Sequence, residues 1–389
     1  IGVRLVGSEM CIRDRFKIVT LGCKVNSYES QGIEEYLLKN GFKESKDPEY
    51  IIVNTCAVTK TAEKKCLTKV RSLSEHFNAT KICVVGCSSS IRPKEFLNIP
   101  GVNVVSGNNG KLFAVKELLN GKTGILLSKK NTRNEKFEED IKISNFGKEC
   151  RAFVKIQDGC DNFCSYCIIP RTRGNSRSRS HEEIIEEVKR LYKSDYRELV
   201  ITGIDMGSYE DPNDDEYKLD DLIEDIIINT PDGYRIRISS LETSQMTQKL
   251  LDLFINHSDK LVSHVHIPLQ SGSSEIVKAM HRKYDLEEFV EKVNYLRKHL
   301  PYLALSTDVI VGFPGETEDL FMETYKFIEK LKFMRLHVFP YSPRPGTLAA
   351  SLKDQIPGNI KKERVHRLID LGNKSVSYTH LRAHETDSY

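Results

Sequence analysis

The 389-residue chain is long enough for two or three domains of ordinary size with sizeable buried cores. Hydrophobic residues make up 39% and charged residues 29%, and no apolar run approaches the roughly 18 residues of a bilayer-spanning helix, which excludes a disordered chain and a helical membrane protein. The 58 basic and 55 acidic side chains leave a net charge of +3, so any footprint for nucleic acid must be local. Ten cysteines without a secretory signal argue against a disulfide scaffold and for metal ligation or redox chemistry in a reducing, cytoplasmic compartment.

Residues 1–15 (IGVRLVGSEMCIRDR) have neither the apolar core of a signal peptide nor a helical period, and 376–389 (VSYTHLRAHETDSY) break the period of a helix expected over 359–373. Both read as a non-native head and tail outside the fold. From 16 to 121, short β-rich runs alternate with amphipathic segments, the pattern of a parallel α/β domain. Strands are expected at FKIVTL (16–21), YIIVN (50–54), KICVV (81–85) and VNVV (102–105), and helices over 30–40, stopped by Gly41, and over 61–77. Three of the four strands run directly into a cysteine: Cys23, Cys56 and Cys87. The carboxyl ends of parallel strands share one sheet edge, so these thiols are expected to converge in one crevice. Taken alone, that leaves open either a shared metal site or three small buried hydrophobes. Cys66 inside a helix, Cys83 inside a strand and Cys150 read as structural, with Cys83 the spare thiol that could come close to Cys87.

Residues 122–149 are charged, rich in Asn and Lys and poor in apolar period, and read as a linker or hairpin. A second alternating array over 150–375 has strands at 153–157, 199–203, 235–239, 264–269, 305–312 and 336–341. Its helices open at Ser180, where Glu183 completes a capping box, and near Leu219, Thr247, Ser273, Asp285 and Thr317. Six βα units fall short of the eight of a closed barrel, so a partial, open (β/α)6 barrel is expected, with a doubly wound sheet as the alternative. The fold class is α/β, a parallel-sheet domain followed by this barrel.

The loop after the first strand of that array carries Cys160, Cys164 and Cys167 in a C-x3-C-x2-C run. Three thiols this close on a loop cannot share one apolar face, and soft thiolates in this number suit an iron-sulfur cluster or zinc. Zinc would want a fourth ligand, for which His181 is the next candidate.

This run resembles the signature of the radical S-adenosylmethionine (SAM) enzymes, whose core is also a barrel of six βα units. LGCKVNSYES, VNTCAVT, VGC, QDGCDNFCSYCIIPRTRG, HIPLQSGS and TDVIVGFPGETE together resemble the methylthiotransferases, and the LGCKVN form is most similar to the branch acting on N6-threonylcarbamoyladenosine in tRNA. The resemblance covers nearly all of 16–375. It implies a 4Fe-4S cluster on Cys160, Cys164 and Cys167 whose open iron chelates SAM, with Tyr166 beside the adenine. It implies a second, auxiliary 4Fe-4S cluster on Cys23, Cys56 and Cys87. An external electron donor of flavodoxin or ferredoxin type would reduce the first cluster, and SAM would be cleaved to a 5'-deoxyadenosyl radical able to take hydrogen from an unactivated carbon. A sulfur on the second cluster, methylated by a second SAM, would pass to C2 of the adenosine at position 37, next to the anticodon. The sulfur source stays open, no membrane is involved, and no acid-base catalytic residues are implied or evident.

At the carboxyl ends of the array's strands, Gly203, Ser240, Gln270 and Gly312 are expected to form a SAM pocket, the glycines by permitting close backbone approach. Arg171, Arg173, Arg177 and Arg179 follow the thiol run and are expected to contact RNA phosphates, against the alternative of a solvated face. The acidic stretch 210–216 reads as a solvated loop, and His264 and His266 as satisfied strand residues rather than ligands. Relatives usually continue past the barrel into a small β-rich RNA-binding domain, which is expected to be missing here. The rival readings are a sibling enzyme acting on N6-isopentenyladenosine or on a ribosomal-protein aspartate, and a non-enzymatic iron-sulfur or zinc protein that binds RNA.

Overall fold

The computed structural model describes residues 14–78, 80–127, 141, 143–147 and 150–385. The chain divides into two compact units, the described part of the first ending at Asn145 and that of the second beginning at Phe146. The expected head lies almost wholly outside the described residues.

The first unit contains β1 (Arg15–Thr20), α1 (Lys24–Lys39), β2 (Lys43–Glu44), β3 (Tyr50–Thr55), α2 (Lys60–His76), β4 (Lys81–Gly86), α3 (Cys87–Ile91), α4 (Pro93–Leu97), β5 (Val102–Val105), α5 (Lys111–Leu119) and β6 (Gly124–Ile125). All strand pairs are parallel, in the order β2-β1-β3-β4-β5-β6. Runs such as Ile51-Ile52-Val53 and Ile82-Cys83-Val84-Val85 are buried throughout because helices cover both faces of the sheet. On one face Ile51, Val53, Ile82 and Val84 meet Leu67, Val70 and Leu73 of α2 and Phe96 of α4. On the other, Ile52, Cys83, Val85 and Val104 meet Ile33 and Leu37 of α1 and Val115 and Leu118 of α5.

Two expectations change here. Helix α1 starts at Lys24, not Ser30. Its first two turns bury Asn26 and Glu29 along with Val25 and Tyr28, and those polar residues hide the apolar period. The predicted linker is also partly structured, since β6 is the sixth strand of the sheet. Further on, Ile141 is buried against α1, where a Cβ on Gly32 would stand 1.9 Å from its Cγ2. Glu35 accepts the backbone N–H groups of Ser144 and Asn145 at 2.7 and 2.8 Å. The segment 141–145 therefore belongs to the first unit.

The second unit contains β7 (Arg151–Lys155), β8 (Gln157–Asp158), α6 (Ile169–Arg173), β9 (Arg177–Ser178), α7 (His181–Lys193), β10 (Glu198–Thr202), β11 (Glu210–Asp211), β12 (Asp214–Lys218), α8 (Leu219–Ile228), β13 (Arg235–Ile238), α9 (Gln248–Asn256), β14 (His264–His266), α10 (Ser274–Ala279), α11 (Leu286–His299), β15 (Ala304–Val311), α12 (Glu318–Leu331), β16 (Arg335–Pro340), α13 (Leu348–Ser351) and α14 (Gly358–Glu385). Strands β7, β10 and β13 form one parallel sheet and β14, β15 and β16 another, and the bridges Ile236 to Leu261 and Ser240 to His266 join them edge to edge. Six parallel strands thus stand side by side in chain order. A doubly wound sheet would reverse that order at a switch point, so the open (β/α)6 barrel is the arrangement found.

The helix starts follow the expected caps: Ser180, Thr247, Asp285 and Thr317 each accept a backbone N–H three residues on. The acidic stretch at 210–216 is solvent-exposed apart from Asp211, but it forms an antiparallel hairpin, β11–β12, rather than a loop. It is pinned at Asp211, which is buried and accepts the N–H of His181 at 2.5 Å. The final helix continues past Asn373 to Glu385. Among the described residues, no helix is long and apolar enough to cross a membrane.

Candidate metal centres

The thiol loop of the barrel is bracketed by the antiparallel pair β8 and β9. Gly159 turns the chain out of β8 with φ of +76°, and a Cβ there would stand 1.9 Å from the Asn175 carbonyl oxygen, so only glycine fits. Cys160 N–H then donates to Gly174 O at 3.1 Å and Cys167 N–H to Cys164 O at 2.9 Å. Between the last two thiols, Ser165 N–H and Oγ donate to the carbonyls of Met280 and Ala279, and its own carbonyl accepts from Ala349. Tyr166 packs beside Met280, Phe313, Tyr341 and Ile310. The loop is thereby tied to the end of α10 and the start of α13.

Each sulfur already receives a donor: Asn162 N–H to Cys160 at 3.4 Å, Ile169 N–H to Cys167 at 3.5 Å, and Arg282 Nη1 to Cys164 at 3.6 Å. Burial pushes the Cys167 thiol up to about 11 and also raises Cys160, where the Asp205 carboxylate at 3.4 Å adds to the effect. Cys164 is raised by burial too, with Arg282 opposing. Without a cation the three are neutral thiols, so a metal centre is what would make them thiolates.

Beneath the loop, Asp158 is fully buried between Arg173, whose Nη1 donates to both carboxylate oxygens at 2.9 and 3.0 Å, and Lys155 at 2.9 Å. Burial opposes its charge, but the two cations outweigh it and hold the carboxyl well below the usual carboxylate range. This corrects the expectation for Arg173, whose side chain is 0% exposed and cannot reach RNA. Arg179 is likewise committed, to Glu187 at 3.1 Å and to the Lys155 carbonyl at 2.9 Å. Of the four arginines, Arg171 is exposed, and Arg177 lines a polar cavity of about 980 Å³ with Asp161, Asn162, Ser176, Asp205 and Lys283. Arg173→Ala should lower stability by about 3 kcal/mol at neutral pH, because it takes one of two cations from a buried carboxylate and leaves Lys155 to hold it. Asp158 is depressed in the fold, so its contribution is present above the ordinary aspartate value. The deficit read from urea midpoints should therefore shrink as the pH falls below about 4.

The four expected rim residues do lie at strand carboxyl ends, with different roles from those anticipated for the glycines. Gly203 is covered, since a Cβ would meet Met206 at 2.8 Å and Gln157 Oε1 at 3.2 Å. Gly312, at φ of +71°, is overlain by the stem of Lys361, and its N–H donates to Glu316 at 2.6 Å. Both serve packing rather than leaving an open approach. Ser240 is exposed and bridges to His266, and Gln270, half-buried at φ of +62°, exchanges backbone bonds with Asp308 and Ile310. His264 and His266 both bond to Ser306 Oγ, through Nε2 and Nδ1 respectively, but the buried Nδ1 of His264 has no hydrogen bond among the described residues, so the expectation holds for His266 and only half for His264.

In the first unit Cys23, Cys56 and Cys87 stand at the ends of β1, β3 and β4. The glycine before Cys23 and the one before Cys87 are what let these ends approach. Gly22 has φ of +120° with a Cβ position 2.7 Å from Cys56 Cβ, and Gly86 has φ of +107° with one 2.5 Å from Thr55 O. Gly86→Ala should therefore cost about 2–4 kcal/mol, whereas Gly41→Ala, at φ of +87° with nothing within 4 Å, should cost about 1 kcal/mol in the same urea titration. The thiols influence one another: burial first, then the neighbouring Cys87 and Cys23, push Cys56 up to about 11. Asn108 Nδ2 donates to Cys87 Sγ at 3.2 Å.

Under the trio lies a buried polar platform. Asn26 Nδ2 donates to the carbonyls of Leu21 and Thr55, Asn54 Nδ2 to Asn26 O and Ser30 Oγ, and Lys111 Nζ to Asn54 Oδ1 while it pairs with Glu29. The spare thiol at this site is Cys66, not Cys83. Cys66 Sγ accepts Cys56 N–H at 3.3 Å. Cys83 faces the opposite side of the sheet among Phe16, Ile33 and Leu37, where burial pushes it up to about 12.

Soft thiolates three at a time suit an iron-sulfur cluster that leaves one iron open, whereas a structural zinc would want a fourth Cys or His. His181 is engaged elsewhere, bonded to Asp211 at 2.9 Å and stacked on Tyr217. The donor sets fit clusters in which each thiolate takes a separate iron, and Arg282 Nε, buried and without a hydrogen-bond partner among the described residues, fits a sulfur-rich neighbour.

An open (β/α)6 barrel with a three-thiol loop after its first strand defines a radical SAM enzyme. The Radical SAM superfamily matches residues 154–328, and Uncharacterized protein family UPF0004 matches 15–107. The fold is shared with the radical S-adenosylmethionine methyltransferase TsrM from Kitasatospora setae, at a TM-score of 0.64 and 14% identity over 87% of this chain and 77% of that one. The chain is 42% identical to the threonylcarbamoyladenosine tRNA methylthiotransferase MtaB of Bacillus subtilis (strain 168) over 361 residues, 91% of this chain and 79% of that protein. It is 35% identical to the tRNA-2-methylthio-N(6)-dimethylallyladenosine synthase of Staphylococcus haemolyticus (strain JCSC1435), over 93% of this chain and 71% of that protein. The chain belongs to the radical SAM methylthiotransferase family.

Proposed function

We propose that Cys160, Cys164 and Cys167 hold one 4Fe-4S cluster, that Cys23, Cys56 and Cys87 hold a second, and that the chain methylthiolates N6-threonylcarbamoyladenosine in tRNA at C2, at position 37. When bound, the first cluster supplies the electron that cleaves SAM to a 5'-deoxyadenosyl radical, and the second carries the sulfur that becomes the methylthio group. The chain's own residues place and insulate. Asp158, Arg173 and Lys155 hold the foot of the thiol loop, Ser165 and Tyr166 fix its crest, and the Asn26, Asn54 and Lys111 platform fixes the strand ends that present the other trio. Arg171, which is exposed, is the arginine of the run that would meet RNA phosphates, with Arg177 beside the polar cavity while it donates to the Arg173 and Asn175 carbonyls at 3.0 and 3.1 Å. Reduction falls to an external donor of flavodoxin or ferredoxin type, and the site of action is the cytoplasm, where tRNA and a reducing poise coincide.

The observation that carries this reading is the pair of cysteine trios, one at the carboxyl ends of β1, β3 and β4 and one in the loop that follows β8. Anaerobic reconstitution with iron and sulfide tests it. About eight irons per chain is the expected stoichiometry; about four, or bound zinc in place of iron, would contradict it.

A further inference from the structure

Arg282 lies just beyond α10 with its side chain only 7% exposed, and its surroundings leave it one orientation. Nη2 donates to Pro268 O at 3.3 Å and pairs with Glu242 at 3.5 Å, itself 10% exposed, while the guanidinium lies 5.3 Å from the Tyr284 ring centre. Tyr284 is anchored in turn through its hydroxyl to Leu269 O. Nη1 is the nitrogen turned to the thiol loop, 3.6 Å from Cys164 Sγ. A buried guanidinium with one long ion pair is poorly compensated. A cluster held by thiolates would supply the missing negative charge.

We infer that Arg282 is a positioning residue which, clamped by Glu242, donates to the Cys164 sulfur and raises the reduction potential of the barrel cluster. The inference rests on the cluster assignment proposed above. Reduction adds negative charge, so an N–H···S bond from a fixed cation favours the reduced state. Cys160, at the other end of the loop, faces the Asp205 carboxylate at 3.4 Å, which acts in the opposite sense. Asn162 Nδ2 joins Asp205 at 2.9 Å to Glu242 at 3.4 Å, so the carboxylates and the cation form one connected set.

The test is a redox titration of the reconstituted full chain, following the paramagnetic signal that added SAM perturbs. Arg282→Met should lower the reduced-to-oxidised ratio about tenfold at the wild-type midpoint, equivalent to about 59 mV for one electron. Arg282→Lys should restore most of it, and Glu242→Gln, which keeps an amide oxygen facing the guanidinium but removes a negative charge, should shift the midpoint upward. Opposite shifts at unchanged iron content are what a merely structural role would not produce. A wild-type midpoint in Arg282→Met, or downward shifts in both the Arg282→Met and Glu242→Gln variants, would overturn the inference. Absence of any SAM-sensitive signal in the wild type would instead overturn the cluster assignment beneath it.

Discussion

Replacing Cys160 with alanine should abolish SAM cleavage and lower the reconstituted iron from about eight to about four per chain, with the fold intact. The thiol is one of three that hold the barrel cluster in the proposed reading. Cys150, the spare thiol nearest in sequence, is exposed just before β7, at the other end of that strand from the thiol loop, while the loop that carries Cys160 is fixed by Gly159 and by the bond from Cys160 N–H to Gly174 O. The effect should be all-or-none, because two thiolates do not retain a four-iron cluster through reduction. Release of 5'-deoxyadenosine, measured under strong chemical reductant, is the readout, and residual cleavage within tenfold of wild type would remove the barrel trio from its assigned role.

Cys23→Ala should separate the two halves of the reaction: 5'-deoxyadenosine is still formed, but no methylthio product appears. Cys23 is exposed at the start of α1, so its loss leaves no cavity and spares the buried platform of Asn26, Asn54 and Lys111. Cys56 and Cys87 remain in place, and Cys66 is the thiol that could substitute. Its bonds to the Cys56 backbone hold it in the α2 interface, on the buried side of the site. Product formed at more than a few per cent of wild type by the double variant Cys23→Ala with Cys66→Ala would mean that the first unit does not carry the sulfur; product from the single variant that the double variant loses would mean that Cys66 had stepped in.

Most of the architecture could be read from residue patterns, because buried parallel strands and capped amphipathic helices announce themselves locally. The convergence of Cys23, Cys56 and Cys87 was legible for a related reason: each follows a strand end, and Gly22 and Gly86 mark the sharp turns that bring Cys23 and Cys87 toward Cys56. What stayed hidden depends on direction and distance. A run of arginines shows charge but not where each side chain points, and Arg173 and Arg179 turn inward to Asp158 and Glu187, fifteen and eight residues away. Asn54 and Lys111 are 57 residues apart and Glu29 and Lys111 are 82 apart, so no local pattern announces their network. Arg282 and Cys164 are 118 apart. Cys66 could have been found, because Glu63, Cys66, Leu67, Val70 and Leu73 form the buried stripe of α2. The alternation of Ile82, Cys83 and Val84 likewise sends Cys83 to the opposite face from its two neighbours.

Mass spectrometry of tRNA nucleosides from cells that lack the native enzyme, with and without this chain, identifies the modified nucleoside. N6-threonylcarbamoyladenosine should gain one methylthio group in place of one hydrogen when the chain is present, and Cys160→Ala and Cys23→Ala should both leave it unmodified. A methylthio group gained by N6-isopentenyladenosine instead, or no change in either nucleoside, would contradict the proposed function.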